Sequence, residues 1–314
     1  MKTGGIDLGG TKIEARLFNE DWQVLESRRV PTPQTSYRDL LNELTTQVRW
    51  LRSFDQAGEI PVGIGMPGLI DARTGNVLTA NLCASGNPIQ HDLQKAAGSG
   101  ILVIKDCRAF TLSEARLGAG RGYVSVVGLI IGTGLAGGHS LNGDLVPVYN
   151  GQGGEFGHIP LPAALVECHG LPLVTCGCGK LGCLETYAAG PGIERLAKHV
   201  TGSTKTGVEI FEQSRAGDPE ARKVFDIWLD VIAETVCILM MAIDPDCIVL
   251  GGGVSKIPGL PDLIAETVSP KLLSGTYLPR IVLAEGGDSS GTRGAALATH
   301  LLREASKERH GQGR

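Results

Sequence analysis

No stretch of this 314-residue chain is apolar for long enough to cross a bilayer: the longest run lies around residues 236–243, well short of the ~20 residues that a spanning helix needs. The opening residues, MKTGGIDLGG, hold no charged segment followed by an apolar core, so a secretory signal is not expected. Nor is there a surplus of positive charge. With 29 Lys and Arg against 33 Asp and Glu, and the signs interspersed, the chain offers no basic stripe for nucleic acid and no polybasic patch for a membrane. Linker-like low-complexity stretches are missing as well, and 42% apolar residues describe an ordinary globular protein long enough for two domains. Small-molecule partners and a cytoplasmic setting are the expectation.

What the chain has in excess is glycine, 45 residues grouped after apolar runs, where backbone must come close to a phosphate or turn sharply. Its cysteines are unevenly spread. Cys83, Cys107, Cys237 and Cys247 are scattered, as free thiols are in a reducing compartment. Cys176, Cys178 and Cys183 instead share one short segment with His158 upstream, inside GEFGHIPLPAALVECHGLPLVTCGCGKLGCLETY (154–187). Three thiols and an imidazole are the ligand types of a closed, structural Zn2+ site. Gly177, Gly179 and Gly182 suit a chain that wraps a metal through positive φ. Buried or disulfide-bonded cysteines are the alternative, and they leave the glycines and the histidine without a purpose. Cys168 and His169 are rival ligands in the same loop.

Taken in order, residues 4–30 read as three short strands: GGIDLG ending at Gly9-Gly10, the alternating IEARLF, and VLESRRV after the Asn19-Glu20-Asp21 turn. A strand that ends in Asp-x-Gly-Gly-Thr-Lys and re-enters its sheet presents backbone N–H groups and the Thr11 hydroxyl, one way to hold phosphate, with Asp7 placed to hold a metal-bound water. The spacing is not that of a P-loop, and a strand rather than a helix follows. Residues 37–54 carry Leu40, Leu41, Leu44, Val48 and Leu51 on one helical face. PVGIGMPG reads as a strand, and residues 71–90 as loop with Asn76, Asn81, Ser85 and Asn87 available to a hydroxylated ligand. The strand ILVI then delivers Lys105 and Asp106 to its carboxyl end, where open α/β sheets gather ligands. Asp106 is a candidate general base, or simply the cap of the following helix.

The segment VVGLIIGTGLAGGHSLNGDLVPV repeats the amino-terminal layout: strand, Gly132-Thr133-Gly134, strand, Asn142-Gly143 turn, strand. Two copies of one supersecondary unit predict duplicated domains whose glycine turns clamp one polyphosphate. Residues 191–242 read as mostly helical, and a buried strand, Cys247 to Leu250, ends in Gly251-Gly252-Gly253, where backbone can approach a base or ribose. The closing GDSSGTRGAALATHLLREA predicts a helix of small residues able to pack back on the first domain.

DLGGTK at 7–12, GTG at 132–134, GEFGH at 154–158, CGCGKLGCLE at 176–185 and GGG at 251–253 together resemble the ROK family of repressors and sugar kinases, over nearly the whole chain. The resemblance implies an α/β, two-domain, actin-like ATPase (ribonuclease H-like) fold in which sugar and ATP meet in an interdomain cleft. Expected boundaries are 1–117 for an N-terminal α/β domain, completed by the helix 291–306, and 118–290 for a C-terminal α/β domain carrying the zinc loop. Without the helix-turn-helix extension of the family's repressors, the chain looks like one of the kinases. GEFGH, NLCASGNP and the long spacer between His158 and Cys176 are most similar to the N-acetylglucosamine kinases, implying phosphorylation of that sugar's 6-hydroxyl. A glucokinase, fructokinase or mannokinase is the alternative, or a non-catalytic sugar-binding regulatory protein.

By that resemblance, Asp106 takes the proton from the sugar hydroxyl. Asn81, Ser85, Gly86, Lys105, Glu155, His158 and Glu185 face the sugar. Asp7, Gly9, Gly10, Thr11, Lys12, Gly132, Thr133 and Gly134 line the phosphates of ATP with its Mg2+, and Gly251, Gly252 and Gly253 lie near the adenosine. His158, Cys176, Cys178 and Cys183 bind Zn2+, and dimers are common among similar kinases, so a homodimer is carried as an expectation. One position departs from the pattern. Family kinases read Asn-Asp where this chain reads Lys105-Asp106, and a lysine only donates where an amide both donates and accepts. Lys105 turns away, the preferred sugar has changed, or catalysis is impaired.

Overall fold

The structure, a computed structural model, describes residues 1–311 and separates into two compact units. The first comprises Met1–Gly118, Asp144–Gly153 and the chain from Glu285. It begins with an antiparallel meander of β1 (Thr3–Leu8), β2 (Lys12–Phe18) and β3 (Val24–Pro31). α1 (Tyr37–Arg52) follows, then β4 (Val62–Met66), the small β5 (Leu69–Ile70) and β6 (Val77–Leu78) ladder, α2 (Ile89–Ala97), β7 (Ile101–Lys105) and α3 (Asp106–Leu117). The sheet order is β3-β2-β1-β4-β7, with β1, β4 and β7 parallel. β4 is buried along its whole length, as a parallel strand covered on both faces must be. α1 buries Leu40, Leu44, Val48 and Leu51, one residue per turn. The Ser36 side chain caps its start by accepting from the Asp39 amide, and Arg49 and Arg52 occupy its last turn, opposite in charge to the helix's negative end.

The second unit, Ala119–Gly143 with Gly154–Ala284, repeats the scheme. β8 (Ser125–Ile131) and β9 (Leu135–Leu141) form a hairpin, which leaves through Asn142 (φ 53°) and Gly143 (φ 80°), the positive-φ pair that a tight hairpin turn requires. The chain then passes to the first unit as β10 (Asp144–Leu145). Back in the second unit come α4 (Ala163–His169), α5 (Glu185–Ala188), α6 (Gly190–Thr201), α7 (Gly207–Arg215) and α8 (Pro219–Ile243). β11 (Cys247–Gly251), α9 (Leu260–Val268) and β12 (Arg280–Leu283) complete it. Within this unit the strands run β9-β8-β11-β12, the same order and sense as β2-β1-β4-β7 in the first. α8 supplies much of the core. Its Trp228 is fully buried and donates its indole N–H to the Ala188 carbonyl at 2.8 Å, so the apolar face is anchored as well as packed.

Residues 144–153 and 285–290 group with the first unit, whereas the second domain is expected over 118–290. The reason is α3. Arg108 donates to the Val146 carbonyl at 2.9 Å, and Arg116 pairs with Asp144 at 2.5 Å. Fully buried Glu114 accepts from the amides of Glu285 and Gly286, both at 3.0 Å, and from the Ser290 hydroxyl at 2.6 Å. Arg293 stands 3.4 Å from the same carboxylate. These contacts set the start of α10 (Ser290–Gly311), which lies on the sheet so closely that a Cβ on Gly63 would come within 1.7 Å of the Ala295 carbonyl oxygen. Glu114→Ala should therefore cost about 3–5 kcal/mol in urea unfolding, because it leaves two amides and the Ser290 hydroxyl without their acceptor and the partly buried Arg293 without its counter-charge. A loss below ~1 kcal/mol would show that the cluster is dispensable.

Candidate active site and metal centre

In the first unit the glycine turn and the aspartates share one edge of the sheet. Asp7 stands opposite Glu14 on β2 and Gly65 on β4; Gly65 in turn faces Ile104, and Met66 faces Lys105. Asp7 and Asp106 thus flank Gly65, where a Cβ would lie 3.7 Å from the Asp106 Cα. Burial pushes the Asp7 carboxyl up to about 6, helped by the charges of Asp106 and Glu14 and opposed by Lys12 and Arg16. Glu14 behaves differently: against the cost of burial, Arg16 at 2.7 Å and Arg29 at 3.0 Å hold it below the usual range.

The turn itself is closed by the Gly9 amide donating to the Lys12 carbonyl at 2.9 Å, and it is fixed from outside by the Thr32 hydroxyl on the Gly9 carbonyl at 2.7 Å and by the Gln34 amide on the Gly10 carbonyl. Thr11 and Lys12 are exposed. A Cβ on Gly10 would meet Asn81 at 3.4–3.5 Å, so the 79–88 loop lies against the turn. Within that loop Ser85 accepts from the Thr79 amide at 3.1 Å, and Gly86 (φ 82°) donates to the Val77 carbonyl at 2.8 Å. Ser85 and Gly86 therefore shape the loop, and Asn81 is the member presented beside the turn.

Asp106 is the first residue of α3, and the capping position belongs to Lys105, whose side chain makes no capping bond. Asp106 Oδ1 accepts from the next amide, Cys107, at 2.7 Å. Its carboxylate sits at the positive end of a helix that runs 12 residues. Lys105 is 7% exposed.

The shift of Asp7 has a kinetic consequence. If ionised Asp7 serves Mg2+-ATP, kcat/KM for ATP should fall as pH drops through about 6, and Asp7→Asn should abolish that limb. The sign for stability is opposite. A carboxyl with a raised folded pKa penalises the folded state above that pKa and not below its unfolded value, so Asp7→Asn should stabilise at pH 8 and be nearly neutral at pH 4. Thermal unfolding at the two pH values reads this; equal shifts would refute it.

In the second unit, His158 closes a one-turn 3-10 helix (Phe156–His158), and its two ring nitrogens face different groups. Nδ1 lies 3.6 Å from Cys176 Sγ, and Nε2 3.7 Å from Glu155 Oε2. Cys178 Sγ and Cys183 Sγ are 3.6 Å apart, and the ligand atoms of His158, Cys176, Cys178 and Cys183 all fall within 4.8 Å of one another. Tetrahedral coordination at a Zn–S distance of ~2.3 Å separates ligand atoms by ~3.8 Å, so the donor set fits such an ion in type, number and spacing. Isolated bridges, Pro160 to Cys183 and Thr175 to Leu181, bring the two arms of the loop together. Gly179 (φ 86°) and Gly182 (φ 68°) turn the chain as the sequence predicts, whereas Gly177 is not among the positive-φ residues. His169 is engaged elsewhere, with Asp230 at 2.8 Å, and Cys168 is exposed, so neither rival joins the cluster.

Glu185 opens α5, and its Oε2 accepts from the Leu135 amide at 3.0 Å, immediately after the Gly132–Gly134 turn. Thr133 is exposed at the tip. Gly252 (φ 86°) passes the Ile131 carbonyl so closely that a Cβ would come within 2.4 Å. Beside Gly253 opens a cavity of about 680 Å³ with a mostly apolar wall of Ile193, Val208, Phe211, Val254 and Ile257, with Arg215 at its margin.

The family model described as "ROK family" matches residues 3–301. The chain belongs to the ROK family. A curated ROK relative from Pectobacterium atrosepticum, an N-acetyl-D-glucosamine kinase, is 39% identical over 302 residues, covering 95% of this chain and 98% of its own. An N-acetylgalactosamine kinase from Shewanella sp. (strain ANA-3) is likewise 39% identical, over 95% and 96%. Among solved structures, a ROK hexokinase from Thermus thermophilus superposes with a TM-score of 0.85 at 32% identity, covering 97% of this chain and all of that one. A ROK glucokinase from Streptomyces griseus, solved with glucose and AMPPNP, gives 0.77 at 29% identity, over 94% and 98%. The fold is the α/β, actin-like ATPase fold, and the chain is a sugar kinase.

Some features of this ROK chain carry no sequence signal. The cavity beside Gly253 is lined from α6 and α7, whose residues follow ordinary amphipathic spacing; only the adjoining glycine run pointed there. Glu114 reads as one more acidic residue on a helix until its partners at 285–293 are in place.

Proposed function

We propose that this protein transfers the γ-phosphate of ATP to the 6-hydroxyl of N-acetyl-D-glucosamine. The observation that carries the reading is the loop of the second unit that holds Glu155, His158 and Glu185 around one metal-type cluster; Asp106, at a helix start in the first unit, is the carboxylate for the chemistry. Full-length identity of 39% to N-acetyl-D-glucosamine kinases supports the choice of sugar. Asp106 accepts the proton of the attacking hydroxyl, and phosphoryl transfer otherwise asks for positioning and charge neutralisation. Gly9–Lys12 and Gly132–Gly134 offer amides and the Thr11 and Thr133 hydroxyls to the phosphates, with Asp7 toward Mg2+ through water. The cavity beside Gly253 takes the adenine ring. Asn81, Glu155, His158 and Glu185 hold the sugar, and Lys105 sits beside the reacting hydroxyl.

His158, Cys176, Cys178 and Cys183 hold Zn2+, which supplies no chemistry to the transfer and keeps the loop in shape. Among the described residues no helix is long and apolar enough to cross a membrane; the reading places the enzyme in the cytoplasm as a homodimer, which light scattering tests. A coupled assay with N-acetylglucosamine, N-acetylgalactosamine, N-acetylmannosamine, glucose, mannose and fructose tests the sugar. Highest kcat/KM for N-acetylglucosamine is expected. The identity to an N-acetylgalactosamine kinase makes the C4 epimer the competing outcome, and absence of any sugar-dependent turnover would overturn the reading.

A further inference from the structure

The segment from the last metal thiol to the start of α6 touches the Gly132–Gly134 turn at both of its ends. Gly190 donates its amide to the Gly132 carbonyl at 2.8 Å, and Glu185 Oε2 accepts the Leu135 amide at 3.0 Å. The turn's own closure is a single bond, the Gly132 amide to the Gly134 carbonyl at 2.9 Å. The space beside Gly134 is filled by the same carboxylate: a Cβ there would stand 2.7 Å from Glu185 Oε2. The other oxygen of Glu185 points the opposite way, 3.9 Å from Cys176 Sγ. Gly157 closes the arrangement. A Cβ on it would lie 2.3 Å from the Leu135 carbonyl oxygen and 3.0 Å from the Glu185 Cβ, so the GEFGH turn is packed on both partners of the Glu185–Leu135 bond.

We propose that Glu185 is a positioning residue that ties the metal loop to the glycine turn, so that nucleotide phosphate affinity and sugar affinity are coupled within this one unit through its carboxylate. The proposal deepens the reading above, since it takes Gly132–Gly134 as a phosphate turn. A side chain that accepts a backbone amide with one oxygen and lies against the Cys176 thiol with the other transmits a shift of either neighbour to the other, because it has little slack: its carboxylate fills the space beside Gly134 and its Cβ the space beside Gly157. A residue that only held the sugar would leave the empty turn unaffected when removed.

The test is equilibrium binding on metal-loaded protein, AMPPNP without sugar and N-acetylglucosamine without nucleotide, by calorimetry. Glu185→Ala removes the acceptor of the Leu135 amide and should weaken AMPPNP about tenfold, whereas Glu185→Gln keeps a carbonyl oxygen in place and should restore most of that affinity. Gly134→Ala displaces the carboxylate and should weaken N-acetylglucosamine at least fivefold, though residue 134 is assigned to the nucleotide. Metal content equal to wild type identifies the variants that fold. If Glu185→Ala and Gly134→Ala each change only the ligand of their own site, the coupling is refuted and the functional reading stands. Thr133→Ala separates the two ideas: its AMPPNP affinity should fall, and an unchanged value would instead remove the phosphate turn on which the coupling rests.

Discussion

Asp106→Asn is expected to lower kcat by about 10³-fold while leaving the dissociation constants of sugar and AMPPNP within about twofold of wild type. The substitution is nearly isosteric and keeps an oxygen for the Cys107 amide, which Asp106 Oδ1 accepts at 2.7 Å. What it removes is the capacity to take a proton. The carboxylate stands as the first residue of α3, where the helix's positive end favours the charged form. A base that acts only as the hydroxyl attacks contributes to the transition state and not to the ground state, so the loss falls on kcat and kcat/KM alike. Rapid-quench turnover together with calorimetric binding separates the two. A variant that keeps more than about a tenth of wild-type kcat would reassign Asp106 to structure. Lys105 gives a second arm to the same experiment. It is nearly buried, and a cation next in sequence to the base lowers proton affinity when it faces it. Lys105→Asn should then raise the pH at which the kcat/KM profile turns over, and an unmoved profile means the ammonium faces elsewhere.

The sequence carried these expectations unequally, and the reason lies in how far apart the relevant atoms are along the chain. Both glycine hairpins were readable because each is local, two strands and a turn, and so was the turn after the second, with positive φ at Asn142 and Gly143 where Asn-Gly predicted it. The histidine–cysteine cluster was readable because three of its four members lie within eight residues, and even the fourth is drawn in by one loop. Asp106 could be placed at a strand end but not told from a helix cap, a distinction that rests on whether it stands before the helix or in its first turn. The cavity beside Gly253 escaped because its wall comes from three separated elements whose side chains are ordinary apolar and charged residues. Residues 144–153 escaped for the same reason. They follow β9 without interruption, and only the arginines of α3 reveal that they belong to the first unit. Ser85 is expected at the sugar, and its oxygen also accepts the Thr79 amide, a bond between positions six apart that pattern alone does not announce.

Cys183→Ser should strip the metal and, with it, lower sugar affinity by more than about 100-fold, the upper range seen when only an outer-shell partner of a metal ligand is changed. Beyond Leu161, Leu171 and Leu184 in the core and the Tyr187 hydroxyl on the Pro172 carbonyl at 2.6 Å, the loop has little regular structure. α4 spans seven residues, and between His169 and Glu185 the backbone is joined by two isolated bridges and a handful of turn bonds, among them Cys176 to the Lys180 carbonyl at 2.8 Å and Gly182 to the Val174 carbonyl at 2.9 Å. Burial pushes the Cys183 thiol up to about 12, with Cys178 and Cys176 adding to it, and raises Cys176 as well, whereas the Lys180 amide holds Cys178 below the usual thiol range, so the buried pair resists ionisation until a cation is present. His158, Cys176, Cys178 and Cys183 would hold a divalent cation as thiolates and imidazole, and such a cross-link would fix Glu155 and Glu185, which flank it. Metal analysis and sugar calorimetry on Cys183→Ser, with Cys168→Ser as the control, give the answer. The control thiol is exposed and outside the cluster, and it should keep both metal and affinity. Retention of full metal content by Cys183→Ser, or loss of metal with unchanged sugar affinity, would show that the loop holds its shape without the ion.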